Sequence, residues 1–358
     1  MKKKELILGL VFFAALVALV IWGRDRIHFD FREFRAQLAL ANWWKIAIGT
    51  GCIYLAYVFR AVRWALMLRH NKKVPLFSLL GTQVIGFTAV ALIGRIADPV
   101  RPYLVAQKTG LPVSNQIAVY IVERLFDAGS MALIFSSAIV LTAWLGLPGA
   151  LPHPEIVRKA GYWGMVLTVL GALFLVAVRL AGGAVASFLE AAFGIVSKRL
   201  GNAVGQKIRS FRTGLDTMRT FSDFGVVAGL SLGMWLLIAL AYLETMQAFT
   251  ASPELAGMTA AKCVLLLAVS GVTSIFQLPV LGWFTQIGVV AAALASFYGA
   301  APEAATACAA TILLVSFLAI VPVGLIWAHF EHVSLRKVTV ESEQAGEELT
   351  TDESPQQV

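Results

Sequence analysis

Charged side chains occur in parts of this chain that are otherwise apolar enough to be buried in lipid. Six of them lie in two neighbouring stretches: Arg95, Asp98, Arg101, Glu123, Arg124 and Asp127. A charge within hydrocarbon costs about 2.5 kcal/mol or more, so such residues are retained mainly for transport paths or polar headgroups. Three arginines balance three carboxylates here, and the pattern predicts a neutral, internally paired polar site inside a membrane protein.

Two further arginines, Arg60 and Arg63, lie about one helical turn apart. Guanidinium groups match phosphate oxygens with two parallel hydrogen bonds, so this pair could clamp a phosphate. The alternative is that both side chains extend to the membrane interface as anchors. Arg95 and Arg101 flank a turn that contains Pro99, where such extension is harder, and this favours anion binding there.

Glu123 and Asp127 share a helix face at i, i+4 spacing, and Arg124 reaches Asp127 at i, i+3 spacing. One interpretation is a structural ion network that locks this helix to its neighbour. The other is that the carboxylates orient arginines whose remaining donors bind a ligand, and both can hold at once. Gln286 is a further candidate for substrate binding, with packing as its alternative role.

Signals of catalysis and of bound cofactors are missing from the sequence. It contains no P-loop or HExxH motif, and its three cysteines lie in apolar segments without CxxC spacing. We therefore predict no metal, no cofactor and no enzymatic activity. Nucleic acid is a poor partner because most of the surface must face lipid.

Composition indicates an all-α polytopic membrane protein. Hydrophobic residues make up 58% of the 358 residues and charged residues only 14%, against about a quarter in soluble domains. A helix rises about 1.5 Å per residue and needs about 20 apolar residues to cross a bilayer. Six stretches are predicted to cross fully: Leu6–Trp22, Trp43–Leu68, Asn115–Leu145, Gly161–Leu180, Phe224–Phe249 and Glu303–Ala328.

Two other apolar stretches, Pro75–Gln107 and Ala260–Ser296, contain helix breakers and are predicted to form re-entrant helical hairpins. The favoured topology places 15 Lys and Arg residues on the cytoplasmic side and eight on the other. The first hairpin then starts and ends in the cytoplasm and the second outside, so the two are opposed and meet near the midplane. The predicted location is a bacterial inner membrane, with both termini cytoplasmic.

Residues 1–337 are predicted to form one transmembrane domain, because no polar stretch is long enough for a second folded domain. Within it, residues 27–42 have the pattern of an interfacial amphipathic helix, and residues 181–222 that of a basic cytoplasmic amphipathic segment. Residues 338–358 carry six acidic residues and no Lys or Arg, which predicts a disordered acidic tail. Without this tail the net charge rises from +8 to +14, which suits anionic headgroups.

Three runs of residues resemble the lysylphosphatidylglycerol synthase transmembrane, or flippase-like, family: Arg60-Ala61-Val62-Arg63-Trp64, Gly94-Arg95 through Arg101-Pro102-Tyr103-Leu104, and Val122-Glu123-Arg124-Leu125-Phe126-Asp127. The resemblance implies a role in moving lipids across a membrane. Two departures stand out. Ala97-Asp98 replaces the usual Gly-Glu, and the second hairpin is poorer in glycine, with the neutral Gln286 near the position of the usual Glu. The resemblance does not include a soluble aminoacyl-transferring domain, so lysyl transfer is not expected.

We therefore expect a protein that translocates or binds an anionic amphipathic lipid, such as a phospholipid or a polyprenyl-linked lipid. The residues assigned to this lipid are Arg60, Arg63, Arg95, Asp98, Arg101, Glu123, Arg124, Asp127 and Gln286. The first alternative is a non-transporting scaffold or regulator of envelope lipid synthesis, whose partners would be lipid-synthesising membrane enzymes. The second alternative is a lipid-modifying enzyme of an unrecognised kind.

Overall fold

The described chain is helical, and no residue within it lies in a β-strand. A computed structural model describes residues 29–145, 154–195, 197–198, 201–206, 220–273, 281–334 and 338–341. The helices are α1 (Phe31–Ala39), α2 (Trp43–Leu68), α3 (Leu76–Ile93), α4 (Val100–Thr109), α5 (Val113–Leu145), α6 (Pro154–Gly194), α7 (Phe221–Gln247), α8 (Pro253–Ala256), α9 (Ala260–Thr273), α10 (Leu281–Tyr298), α11 (Pro302–Leu313) and α12 (Ile320–Phe330). A π-helical turn, Leu314–Leu318, joins the last two.

Within the described residues, five helical segments are long and apolar enough to cross a membrane: Trp43–Leu68, Leu76–Ile93, Val113–Leu141, Ser222–Gln247 and Pro302–Phe330. Four of them match predicted spans, and the second lies in the segment that was predicted as the first hairpin. The predicted span Gly161–Leu180 lies within α6, which bends at Ala181. The predicted span Leu6–Trp22 lies outside the described residues. The predicted all-helical, polytopic membrane fold is confirmed.

Polar caps mark the starts of two of the long helices. The Asn42 side chain accepts hydrogen bonds from the backbone amides of Trp44 and Lys45 at 3.1 and 3.3 Å, at the start of α2. Thr220 and Asp223 form a reciprocal capping box at the start of α7. These side chains satisfy amides that the first turn of a helix leaves unpaired. They fix where α2 and α7, which pack extensively against each other, begin.

Polar contacts define two opposite ends of the helix bundle. At the Arg69 end, named for the first of its residues, Arg69 pairs with Asp223, and the Lys108 amine donates to Glu331 at 2.6 Å. At the Lys45 end, the Lys45 amine pairs with Glu244 at 3.1 Å. The start of α2 and the end of α7 meet at the Lys45 end, so these two long helices run antiparallel.

The first hairpin consists of α3 and α4 and opens at the Arg69 end. The Lys108 amine donates to the Ser78 carbonyl at 3.3 Å, so the end of α4 returns to the start of α3. Between the helices lies a 3₁₀ turn, Arg95–Ala97, preceded by Gly94 with φ 93°. This φ lies in the left-handed region, which glycine adopts without the steric cost of a Cβ. The chain therefore turns back at Gly94.

The second hairpin consists of α9 and α10 and opens at the Lys45 end. The Tyr298 hydroxyl donates to the Lys262 carbonyl at 3.0 Å, so the end of α10 returns to the start of α9. The connection between the helices lies outside the described residues, and so does the predicted breaker Pro279. The Trp283 indole donates to the Ala91 carbonyl at 3.1 Å, which joins the inner ends of the two hairpins. The hairpins are therefore opposed and meet, whereas their turning back within hydrocarbon stays a prediction.

The predicted flanking segments are described in part. The segment 27–42 contains α1, which packs against α11. In the segment 181–222, α6 continues to Gly194 and residues 201–206 are helical, but 207–219 lie outside the described residues. The first four residues of the acidic tail, 338–341, are helical, and the Tyr103 hydroxyl donates to Glu341 at 3.1 Å. This contact ties the start of the tail to α4; the remainder of the tail is not described.

The arrangement of the hairpins predicts which positions are accessible from each side of the membrane. Asn71 and Gln107 are exposed at the Arg69 end, and Pro253 and Pro302 are exposed at the Lys45 end. Single cysteines at positions 71 and 107 should therefore react with an impermeant maleimide from one face, and those at 253 and 302 from the other. The measurement is labelling of right-side-out and inverted vesicles, after replacement of the three native cysteines. Reaction of 71 and 107 from opposite faces would contradict the first hairpin.

Candidate functional site

Six of the predicted site residues come together between α2, α4 and α5. We call them the arginine cluster: Arg60, Arg63, Arg101, Glu123, Arg124 and Asp127. The two α2 arginines are one turn apart and share a face, and the two α5 carboxylates do so as well. Antiparallel packing of α4 on α3 brings Arg101 to the same place, opposite Gly86. Chemistry that the sequence spreads over more than 60 positions is thus concentrated in one buried volume.

Arg63 bridges both carboxylates. Its Nη1 donates to Asp127 Oδ1 at 2.6 Å and to Ser231 Oγ of α7 at 2.7 Å, and its Nη2 donates to Glu123 Oε1 at 2.6 Å. The side chain is 1% exposed. Short contacts of this kind are charge-assisted hydrogen bonds, which are about twice as strong as neutral ones. Arg63 is therefore the structural centre of the cluster and not an interfacial anchor.

Arg60 contacts the same two carboxylates less closely. Its Nη1 lies 3.5 Å from Glu123 Oε1 and 3.5 Å from Asp127 Oδ2, and it makes no hydrogen bond to the described residues. Its guanidinium carbon lies 4.7 Å from the centre of the Phe87 ring. Arg60 is thus held by longer-range charge attraction and by the ring, and part of its hydrogen-bonding capacity is unused.

Arg101 is fully buried and only partly bonded. Its Nη1 donates to Gln83 Oε1 at 3.2 Å and to Glu123 Oε1 at 3.3 Å. Its guanidinium carbon lies 4.4 Å from the centre of the Phe87 ring and 5.0 Å from that of Tyr120. Its Nε and Nη2, which form one edge of the guanidinium plane, have no hydrogen-bond partner in the described chain. A complete two-pronged donor edge is therefore unused inside the protein.

Arg124 forms the open side of the cluster. Its Nη2 lies 3.0 Å from Asp127 Oδ2 and 3.2 Å from Glu123 Oε1, and 31% of its side chain is exposed. Ile121 and Leu125, its neighbours on α5, are also exposed, at 47% and 40%. The cluster consequently reaches the protein surface at an apolar part of α5.

The cluster carries a net charge of +2, from four guanidinium groups and two carboxylates. Its buried polar atoms without a hydrogen-bond partner among the described residues are Arg60 Nη1, Arg101 Nε and Nη2, Arg124 Nε, Glu123 Oε2 and Asp127 Oδ2. Donors outnumber acceptors in this set by four to two. The sequence predicted a site with no net charge. In the structure the two α2 arginines join the cluster, whereas Arg95 and Asp98 pair with each other beside it.

Arg95 and Asp98 pair with each other at the tip of the first hairpin. Arg95 Nη1 lies 3.3 Å from Asp98 Oδ2, and their side chains are 37% and 18% exposed. The Asp98 carboxylate also interacts electrostatically with Arg124, so this pair lies beside the arginine cluster. That Arg95 and Arg101 face one cavity from the two sides of the turn stays a prediction.

Gln286 belongs to a different polar group, in the second hairpin. Its side-chain amide donates to Ser270 Oγ at 3.2 Å, and Ser270 Oγ lies 2.9 Å from the Tyr242 hydroxyl. This chain links α10, α9 and α7 away from the arginines. The geometry assigns Gln286 to packing of the second hairpin, which was its alternative role.

Several side chains of the site were not identified from the sequence. They are Gln83 and Phe87 of α3, Tyr120 of α5 and Ser231 of α7. Neutral polar and aromatic residues are common in apolar helices, so only the three-dimensional packing reveals which of them face an arginine. No group of three potential metal ligands occurs among the described residues.

Comparison with known proteins identifies one family. Residues 6–324 match the family model described as the lysylphosphatidylglycerol synthase TM region. No curated protein and no solved structure matches the chain. The match covers all six residues of the arginine cluster and both hairpins.

Removal of one carboxylate should destabilise the protein. Asp127→Asn leaves the four arginines of the cluster with a single carboxylate, Glu123, and breaking a buried ion pair costs about 3–5 kcal/mol. The matched control is Asp98→Asn, whose more exposed pair contributes about 1 kcal/mol or less. Unfolding in detergent measures both free energies. Equal stabilities of the two variants would show that the cluster is not a structural ion network.

A change at Gly86 should displace Arg101 without altering any charge. A Cβ at this position would lie 2.1 Å from Arg101 Cγ, so the arginine must move. We expect Gly86→Ala to weaken retention of anionic lipid roughly tenfold, because small displacements of a binding group are costly. Gly129→Ala is the control: a Cβ there has no described atom within 4 Å, and both changes raise helix propensity equally. Lipid retained after purification is measured, and unchanged retention in Gly86→Ala would exclude Arg101 as a lipid contact.

Proposed function

Because this chain belongs to the family of lysylphosphatidylglycerol synthase transmembrane regions, we propose that its arginine cluster binds the headgroup of an anionic amphipathic lipid. We further propose that the protein moves this lipid across the membrane. The observation that carries the proposal is a buried site with a surplus of two positive charges and unused guanidinium donors. A phospholipid or a polyprenyl-linked lipid has the matching anionic phosphate.

The carboxylates explain how such a site can exist without its ligand. Isolated buried charges are very costly, and Glu123 and Asp127 lower this cost by pairing with all four arginines. They leave the Nε and Nη2 edge of Arg101 without a hydrogen-bond partner among the described residues. In this proposal the carboxylates preorganise the arginines, and the lipid phosphate supplies the remaining negative charge.

A lateral route to the site follows from the exposure of α5. Arg124 is flanked by the exposed apolar residues Ile121 and Leu125, so a headgroup could enter beside Arg124 while its acyl chains stay in hydrocarbon. Arg101 lies on α4, which is connected to α3 through the turn at Gly94. Movement of α4 relative to α5 would separate Arg101 from Glu123, now 3.3 Å apart, and open the site. This motion is part of the proposal.

A second candidate function is that of a scaffold or regulator that does not transport lipid. The observation that favours it is the closure of the cluster, since the Arg63 and Arg101 side chains are 1% and 0% exposed. A purely structural ion network would look the same. In that case the partners would be lipid-synthesising membrane enzymes. Under either candidate we propose a bacterial inner-membrane location with cytoplasmic termini, no cofactor and no enzymatic activity.

Transport should depend on the geometry of Arg101 and not only on its charge. Lysine keeps the charge but lacks the planar two-pronged donor edge. We expect Arg101→Lys to lower translocation of a fluorescent phosphatidylglycerol in reconstituted vesicles by about tenfold, which corresponds to the loss of about 1.4 kcal/mol. The protein should remain monodisperse.

The matched control is Arg95→Lys, at the hairpin tip outside the cluster. It should translocate the reporter at the wild-type rate. A normal rate in Arg101→Lys would contradict two-pronged binding of the headgroup. Absence of translocation by the wild-type protein, together with co-purification of a lipid-synthesising enzyme, would support the regulator.

A further inference from the structure

We propose that the arginine cluster selects lipids with a dianionic headgroup, a terminal phosphate monoester, over lipids with a monoanionic phosphodiester. This inference rests on the proposed function and deepens it, because it names the chemical class of the lipid. Three features of the cluster carry it: its net charge, the number of its unused donors, and the way in which Arg101 is enclosed.

The net charge of the cluster requires two negative charges for neutrality. Four guanidinium groups face two carboxylates, and three of the four arginine side chains are at most 31% exposed and in contact with both carboxylates. A phosphodiester would neutralise half of the surplus and leave one unpaired buried positive charge. A doubly ionised phosphate monoester would neutralise all of it. Residual charge is costly in a poorly solvated site, so the dianion is favoured.

The unused donors match the oxygens of a phosphate monoester. Arg60, Arg101 and Arg124 each have at least one buried nitrogen without a hydrogen-bond partner in the described chain. A phosphate monoester presents three terminal oxygens, each able to accept from one of these arginines. A phosphodiester has two of its oxygens esterified and presents only two terminal ones. The number of arginines with free donors therefore also favours the monoester.

The enclosure of Arg101 directs binding to one edge of its guanidinium. The guanidinium carbon lies over the rings of Phe87 and Tyr120, 4.4 and 5.0 Å from their centres, as in cation–π pairs. Gln83 and Glu123 occupy Nη1, so only the edge formed by Nε and Nη2 is left for a ligand. This edge gives two parallel donors to two oxygens of one phosphate. Phe87 and Tyr120 are thus positioning residues for the proposed headgroup.

The experiment compares three lipids on the intact wild-type protein in nanodiscs: phosphatidic acid as the monoester, phosphatidylglycerol as the diester, and phosphatidylcholine as the reference without net charge. The second proton of a phosphate monoester is lost with a pKa of about 6, so phosphatidic acid is dianionic at about pH 8 and monoanionic at about pH 5. We expect phosphatidic acid to bind about tenfold more tightly than phosphatidylglycerol at about pH 8, since a second charge near a guanidinium is worth several times the thermal energy. At about pH 5 the two affinities should be similar.

A change with pH in the affinity ratio of the two lipids reflects the ionisation of phosphatidic acid, because the protein groups that face the headgroup do not change charge in this range. They are the four arginines, Glu123 and Asp127, together with Tyr57 and Tyr120, which lie near Arg101, and Asp98, which interacts with Arg124 and Tyr120. Side chains of these types titrate outside the range between about pH 5 and pH 8. If the preference for phosphatidic acid over phosphatidylglycerol is the same at both pH values, the proposed selection by headgroup charge is wrong.

Two variants test the same inference independently of pH. Arg60→Gln lowers the net charge of the cluster to +1, and Arg60 is the arginine whose contacts with the carboxylates are longest, at 3.5 Å. We expect it to bind phosphatidic acid and phosphatidylglycerol with similar affinity, both above phosphatidylcholine. Arg158→Gln removes an exposed arginine of α6 that pairs with Glu155, and it should keep the tenfold preference. Retention of the full preference in Arg60→Gln would overturn the inference.

The outcomes separate this inference from the proposed function. Equal binding of both anionic lipids above phosphatidylcholine at about pH 8 would overturn the dianion selection and leave the proposed function in place. Equal binding of all three lipids would overturn both. Inorganic phosphate at the same concentration as phosphatidic acid tests the source of the ligand. We expect it not to displace the lipid, and full displacement would show that the site binds free phosphate.

Discussion

The contacts of Arg63 with two carboxylates are the interaction on which the rest of the site depends. Arg63 on α2 donates to Glu123 and Asp127 of α5 and to Ser231 of α7, so one guanidinium fixes three helices relative to each other. Because these charges lie where water is scarce, each needs a partner, and each helix is held in the register that provides it. Since the best acceptor positions are occupied by Arg63, the other three arginines make longer contacts, and their donors are the ones left for a ligand.

The first hairpin completes this site, because its second helix, α4, supplies Arg101. Gly94 permits the turn, and Gly86 lets the Arg101 side chain pass close to α3, where a Cβ would collide with it. The local cost of glycine in a helix is thus offset by the placement of a fourth arginine next to Glu123. The second hairpin opens at the other end of the bundle and meets the first through Trp283. Many transporters build their substrate sites where two opposed helix pairs meet, so this arrangement is in keeping with the proposed function.

Family membership and site geometry contribute different parts of the functional conclusion. The family match, over residues 6–324, establishes a multi-pass membrane protein of the lysylphosphatidylglycerol synthase TM region. The surplus charge, the free edge of Arg101 and the exposed side of Arg124 are properties of this chain, and they support an anionic lipid as ligand. The neutral Gln286 packs on Ser270, so the second hairpin contributes helix packing and no charge at this position.

The sequence by itself determined the membrane class, four of the described spans, the segments that contain the helix pairs α3–α4 and α9–α10, and most of the charged residues of the site. These features follow from local properties, namely apolar length, helix breakers and charges that lipid does not tolerate. Only the tertiary structure decided which charges meet. Arg60 and Arg63 join the cluster and Arg95 and Asp98 do not, which changes its net charge from zero to +2. Packing also decided which neutral side chains contact the arginines, namely Phe87, Tyr120, Gln83 and Ser231. The physical reason is that pairing depends on the relative rotation and register of helices that are far apart in sequence, and no local pattern specifies these.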